Sequence, residues 1–160
     1  MTIQVGDKIP AAMLTTMTAD GPASVATEEY FAGKKIVIFS VPGAFTPTCS
    51  AKHLPGFIEQ ADAIKAKGVD EIACFAVNDV FVMHAWGENT GAGDKVTMLA
   101  DGNGDFTKAI GLEMDASGFG MGLRSLRFSM IVDNGTVSEL NVEEPGAFQV
   151  SSAEHALGQL

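Results

Sequence analysis

The stretch SVPGAFTPTCSAKHLPGF, residues 40–57, follows directly on the run KKIVIFSV (Lys34–Val41) and decides how the chain is read. The run is short, apolar and rich in β-branched residues, with a charged start. That pattern suits a strand buried on both faces of a parallel or mixed sheet. After Pro42, from about Cys49 to Lys67, Leu54, Phe57, Ile58, Ala61 and Ile64 recur at helical spacing, and Gly68 offers a C-terminal cap. Pro55 has no N–H to give to the ladder, so it is expected to kink this helix or tighten a turn near its start. One of only two cysteines, Cys49, thus falls where a buried strand hands over to a helix.

Working outward, the same alternation continues. EIACFAVN (71–78) reads as a second buried strand, DVFVMHAWGEN (79–89) as a helix, KVTMLAD (95–101) as a third strand and DFTKAIGLEM (105–114) as a short helix. RFSMIVDNGTVSEL (127–140) is expected to form a hairpin, because Asn134-Gly135 lies between two alternating runs. SSAEHALGQL (151–160) reads as a terminal helix with a serine N-cap and Glu154 near the third helical position. The pattern is α/β, a central mixed β-sheet flanked by helices. No repeat, linker or low-complexity tract divides it, so residues 1–160 are expected to form a single domain.

Composition narrows the functions available. Twenty acidic against ten basic residues give a formal charge of −10, which repels a phosphate backbone or an anionic membrane, so no nucleic-acid or membrane partner is expected. The start, MTIQVGDKIP, lacks the basic n-region and apolar core of a signal peptide, and no window reaches the length of a membrane span. Two cysteines are too few for a secreted disulfide framework. These features point to the cytoplasm. No CxxC, HExxH or paired Cys/His cluster is present, and His53, His84 and His155 are scattered, so neither a metal nor a bound cofactor is expected.

In open α/β sheets, reactive groups gather beyond the carboxyl ends of the strands, where helix N-termini point partial positive charge into a crevice. Cys49 is placed for such a role, since amide donors and positive charge favour a thiolate. Ionisation alone increases the nucleophile only a few tens of times over a free thiol at pH 7, so a fast cysteine also needs groups that place and polarise its electrophile. Thr46 offers a hydroxyl three positions before Cys49, and Pro42 is placed to wall off water.

PGAFTPTCS contains P-x-x-x-T-x-x-C, from Pro42 through Thr46 to Cys49, and resembles the peroxidatic motif of the peroxiredoxins. The fuller VPGAFTPTCSAKHLPGF resembles the type II, or peroxiredoxin-5-like, subfamily. The likeness extends through VGDKIP, KAKGV, ACFAVND, LAD and RFSMIVDNG, nearly the whole chain. It implies a thioredoxin-like fold and an antioxidant oxidoreductase serving cell redox homeostasis, in which Cys49 attacks a peroxide oxygen and becomes a sulfenic acid while Thr46 and an arginine orient the peroxide. By the same resemblance that arginine is Arg127, just before FSM, with Arg124 the weaker alternative. A homodimer with its contact near the active site is also implied.

Many relatives resolve the sulfenic acid with a second cysteine near the C-terminus. Ser151 and Ser152 stand in that region here. Cys74, within IACFAV, reads as a buried structural cysteine on a central strand. The expectation is therefore a one-cysteine peroxidase acting on hydrogen peroxide and alkyl hydroperoxides, reduced by an external thiol, with glutathione and glutaredoxin, or a thioredoxin-type protein, as the candidates. Redox sensing and thiol-disulfide exchange are the alternatives. His53, four positions after Cys49, invites a Cys-His reading, but no third group that would orient its imidazole is evident, and all three histidines are expected to be exposed or capping. Phe45, Phe81 and Trp86 near loops are either core or contact residues.

Overall fold

The computed structural model describes residues 1–160. Nine strands and five α-helices follow one another as β1 (Met13–Thr18), β2 (Gly21–Ala26), α1 (Thr27–Phe31), β3 (Lys35–Ser40), α2 (Leu54–Lys65), β4 (Glu71–Ala76), α3 (Val80–Thr90), β5 (Thr97–Ala100), α4 (Asp105–Ile110), β6 (Glu113–Asp115), β7 (Leu123–Ser125), β8 (Phe128–Asp133), β9 (Thr136–Val142) and α5 (Ala153–Gly158). Seven strands make one mixed sheet in the order β2-β1-β5-β4-β3-β8-β9, and β6 and β7 form a separate antiparallel pair. The central strands β3, β4 and β5 run parallel, while β8 lies antiparallel to β3 and β1 antiparallel to β5.

The central strands are apolar on both sides because both faces are covered. On one face Val37, Phe39, Ile72 and Cys74 meet Leu54, Phe57 and Ile64 of α2, Met83 and Trp86 of α3 and Ala153 and Ala156 of α5. On the other, Ile36, Ile38, Phe75 and Met130 meet Phe31 of α1 and Phe106 and Ile110 of α4. The strands, helices and hairpin expected from the sequence form, except that the helix expected over residues 105–114 ends at Ile110, capped by Gly111, and Glu113 and Met114 pair in β6 instead. Asn134 and Gly135 take φ of 47° and 79°, the two left-handed residues that a two-residue hairpin needs to match strand twist. The side chain of Asp79 caps α3 by accepting from the amide of Val82 at 2.9 Å.

Further details depart from expectation. The helix after Pro42 is not regular from Cys49. Residues Cys49–His53 form a π-helical turn, in which the amide of Leu54 bonds the carbonyl of Cys49, and the α-helix starts only at Leu54. Pro55 sits in the first turn of α2, where a missing N–H costs least, so the distortion falls ahead of it instead of kinking the helix. The helix ends at Lys65, three residues short of Gly68, which at φ 95° still closes the end by donating its amide to the Lys65 carbonyl at 3.0 Å. Ser152, not Ser151, caps α5 by accepting from His155, which leaves Glu154 one position earlier than expected. Finally, the hairpin β1–β2 extends the sheet at a place that the sequence pattern left unread.

Candidate active site

The loop from Val41 to Thr48 leaves the carboxyl end of β3 and is braced from three sides. The amide of Ala44 donates to Asn78 Oδ1 at 2.9 Å, just beyond β4. The hydroxyl of Thr46 donates to the carbonyl of Gly43 at 2.7 Å. Arg124 lies across the loop, giving Nη1 to the carbonyl of Pro42 at 3.3 Å and Nε to that of Met121 at 2.9 Å. A Cβ on Gly43 would sit 2.8 Å from that guanidinium, so a side chain there would push Arg124 off the loop. Phe45 holds a left-handed backbone, φ 65°, and its half-exposed ring lies 6.4 Å from that of Trp86.

Cys49 opens the π turn at the foot of this loop. It is fully buried, yet it has polar company: Arg127 Nη2 lies 3.0 Å from its Sγ. The second arm of the same guanidinium, Nη1, lies 2.8 Å from His53 Nδ1, and His53 Nε2 lies 2.8 Å from the carbonyl of Ser151. An arginine only donates and a carbonyl only accepts, so Nδ1 must be the acceptor and Nε2 must carry the proton. The imidazole is neutral. Burial, and then the positive charge of Arg127, pull its pKa down to about 3, against smaller opposite effects of the Ser151 carbonyl and Glu143. Phe39, Phe57 and Phe148 pack around the ring at centroid distances of 4.8, 5.7 and 5.0 Å.

The expectation of an exposed or capping His53 is therefore corrected. It is buried, and a third group does orient it, but its partner is Arg127 rather than Cys49. His84 and His155 are surface residues, with His84 near Glu88 at 3.2 Å. Trp86 is core, and its indole N–H donates to Ser50 Oγ at 2.9 Å, tying the π turn to α3. Phe81 is exposed.

Of the residues singled out beforehand, Cys49 and Arg127 are in direct contact. Pro42 and Arg127 line one cavity of about 430 Å³, together with Thr48, Phe119, Leu126 and the chain from Glu143 to Ala147. The Thr46 hydroxyl spends its proton on Gly43, which leaves its oxygen able to accept. On the far side of Phe148 a second, open groove of about 600 Å³ runs between Lys52, Pro55, Gly56 and Ser152–Glu154. Cys74 is a free, fully buried thiol in the middle of β4, opposite Phe39 and Met98 on the neighbouring strands. Burial pushes its thiol pKa well up, a negative charge on Cys49 adds to this, and Arg127 pulls weakly the other way.

A buried thiol at the head of a helix, in the grip of a guanidinium at the carboxyl edge of a thioredoxin-like sheet, is the architecture of a thiol-dependent peroxidase. The Redoxin family model matches residues 4–157. Peroxiredoxin-2E-2, chloroplastic, of Oryza sativa subsp. japonica is 56% identical over 164 residues, covering 99% of this chain and 73% of that protein. Among solved structures, reduced Prx3 of Vibrio vulnificus in complex with H2O2 superposes with a TM-score of 0.96 at 56% identity, with 99% of each chain covered. The Plasmodium falciparum antioxidant protein, described as a 1-Cys peroxiredoxin, reaches 0.90 at 32% identity, with 96% of each chain covered. The chain belongs to the Redoxin family, as a type II peroxiredoxin with thiol peroxidase function.

Proposed function

We propose that this protein reduces hydrogen peroxide and small alkyl hydroperoxides by a one-cysteine mechanism. The observation that carries the reading is the 3.0 Å contact between Arg127 Nη2 and Cys49 Sγ. A guanidinium there holds negative charge on sulfur and then on the oxygen that departs. The Cys49 thiolate attacks one peroxide oxygen, the O–O bond breaks, and the second oxygen leaves with its electron pair. It takes up a proton to become water or an alcohol, and Cys49 becomes a sulfenic acid. Thr46 accepts a hydrogen bond from the peroxide, Arg127 donates to it, and Pro42, which lines the same cavity as Arg127, helps to keep water out. The Vibrio relative, whose structure holds H2O2, supports this substrate.

Resolution falls to an external thiol. Cys74 faces the apolar core from mid-strand, and Ser151 and Ser152 occupy the C-terminal region where a resolving thiol would be sought. The description of the Plasmodium relative as 1-Cys agrees with this. A thiol such as glutathione attacks the sulfenic sulfur, water leaves, and a mixed disulfide forms that a second thiol or a glutaredoxin clears. The groove beside Phe148 and Lys52 has room for a small thiol. Exposed Phe45, Phe81 and Phe119 support pairing with a second copy, and a chain with two thiols suits a reducing compartment, for which we keep the cytoplasm.

Intact mass after one equivalent of peroxide tests the reading. Wild type and Cys74→Ser should each gain one oxygen, and Cys49→Ser none. Loss of two hydrogens that requires both cysteines would make Cys74 the resolving residue, and an unreacted wild type would remove the peroxidase mechanism.

A further inference from the structure

Between β9 and α5 the chain forms a loop that ties itself shut beside the site. Glu143, only 5% exposed, stands at its neck. A single oxygen of its carboxylate, Oε2, accepts from the amides of Gln149 (2.8 Å), Val150 (2.9 Å) and Ser151 (2.8 Å) and from the hydroxyl of Ser151 (2.7 Å). Successive amides turned toward one anion form a concavity that holds negative charge without a cation. No lysine or arginine pairs with this carboxylate; the salt bridges of the molecule lie elsewhere. Burial acts to raise its pKa, but the hydrogen bonds prevail and hold it below the usual carboxylate range.

What the tie holds in place is the outer support of the reactive centre. The carbonyl of Ser151 fixes His53 through Nε2, and His53 fixes Arg127 through Nδ1. Phe148, within the closed loop, lies 5.0 Å from the His53 ring and 5.8 Å from the Arg127 guanidinium. The backbone of Glu143 also reaches the same arginine, its amide donating to the Arg127 carbonyl at 3.0 Å. Both ends of Arg127, main chain and guanidinium, are thus referred to one acidic residue.

We propose that Glu143 is a positioning residue for the peroxide step: by tying Gln149–Ser151 it sets the Ser151 carbonyl and Phe148 against His53, and through them aims Arg127 at Cys49. This rests on the reading above, in which Arg127 orients the peroxide that Cys49 attacks. A tie that served only to fold the loop would leave the reaction with peroxide no more affected than any other reaction of the thiol.

The test compares two reagents at Cys49. Hydrogen peroxide needs an aimed guanidinium, whereas iodoacetamide needs only an accessible thiolate. Glu143→Gln is expected to lower the second-order rate constant with hydrogen peroxide on the order of tenfold or more, the scale at which small misplacements reduce catalysis, with a clearly smaller loss toward iodoacetamide, which feels only the change in charge on the sulfur. In an Arg127→Gln background the same substitution should add little further loss, because the arm it aims is gone. Ser151→Ala, which removes one of the four donors, should show the same selective loss on a smaller scale, and it carries the test if the Glu143 variants do not fold. Wild-type peroxide kinetics in Glu143→Gln, an equal loss toward both reagents, or full additivity with Arg127→Gln would overturn the proposal. Failure of the wild type itself to react with peroxide would instead remove the reading beneath it.

Discussion

Cys49 and Cys74 are both fully buried and both face the apolar layer between the sheet and α2 and α3, yet their surroundings differ in kind. Cys74 sits mid-strand among aliphatic and aromatic side chains, where burial opposes ionisation. Cys49 sits at a helix start with a guanidinium 3.0 Å away, itself held by a neutral histidine. Exposure therefore does not separate the two thiols. What separates them is whether the surrounding fold supplies a hydrogen-bond donor to the sulfur, and that donor, Arg127, arrives just ahead of β8, far away in sequence.

Removing the arginine should erase most of the difference. Arg127→Gln is expected to reduce the rate constant for Cys49 oxidation by peroxide by a factor on the order of 10² to 10³, the usual consequence of deleting one donor to a developing oxyanion. Stopped-flow measurement of peroxide consumption checks it. Retention of the wild-type rate would show that helix position alone activates Cys49.

The histidine sharpens the comparison through pH. With a native pKa near 3 and an unfolded one near 6.5, His53 takes up a proton on unfolding throughout that window. Stability should be insensitive to His53 above about pH 6.5 and fall progressively as pH drops from there toward 3. Glu143 acts in the same direction, its depressed pKa adding stability that is lost at still more acid pH as the carboxylate protonates. In melting curves between about pH 7.5 and about pH 3, His53→Gln should flatten the upper part of this acid limb. An unchanged limb would place the responsible group elsewhere.

Cys74→Ser approaches the comparison from the other side, placing a hydroxyl in the apolar layer. A loss of about 1–3 kcal/mol is expected in denaturant titration, with the peroxide rate constant unchanged. A large loss of activity at full stability would contradict the structural role given to Cys74. The smallest expected effect belongs to Trp86→Phe. It removes the bond to Ser50 and with it about 0.5–1.5 kcal/mol, and it should speed hydrogen exchange in the π turn, residues 49–53, more than in α2.

Much of this architecture was legible in the chain. β3 and the loop after it follow from one apolar run ending just before Pro42, the choice of Cys49 as candidate came from its place after that run and from the resemblance of P-x-x-x-T-x-x-C to a family motif, and Asn134-Gly135 announced its hairpin. The β1–β2 hairpin escaped because MLTTMT and GPASVA mix threonine, alanine and methionine on half-buried faces at the sheet edge, so the alternation has little contrast. The π turn escaped because a change of hydrogen-bond partner in the backbone has no letter; Pro55 showed that something gives near the helix start, but not where. His53 looked solitary because its two partners are an arginine 74 positions on and a main-chain carbonyl, and the second belongs to no residue type. Glu143 is one of twenty acidic residues, and only the loop closing on itself sets it apart.

The π turn has one more consequence. Arg127 grips Cys49 with one nitrogen and His53 with the other, and its planar fork has a fixed span, so the guanidinium works as a caliper set across that single turn. Point substitutions at the exposed Ala51 or Lys52 leave the span intact. Inserting or deleting one residue there would swing either the sulfur or the imidazole off its nitrogen, and no rotation of the arginine could recover both. The segment should therefore be permissive toward changes of side chain and closed to changes of length.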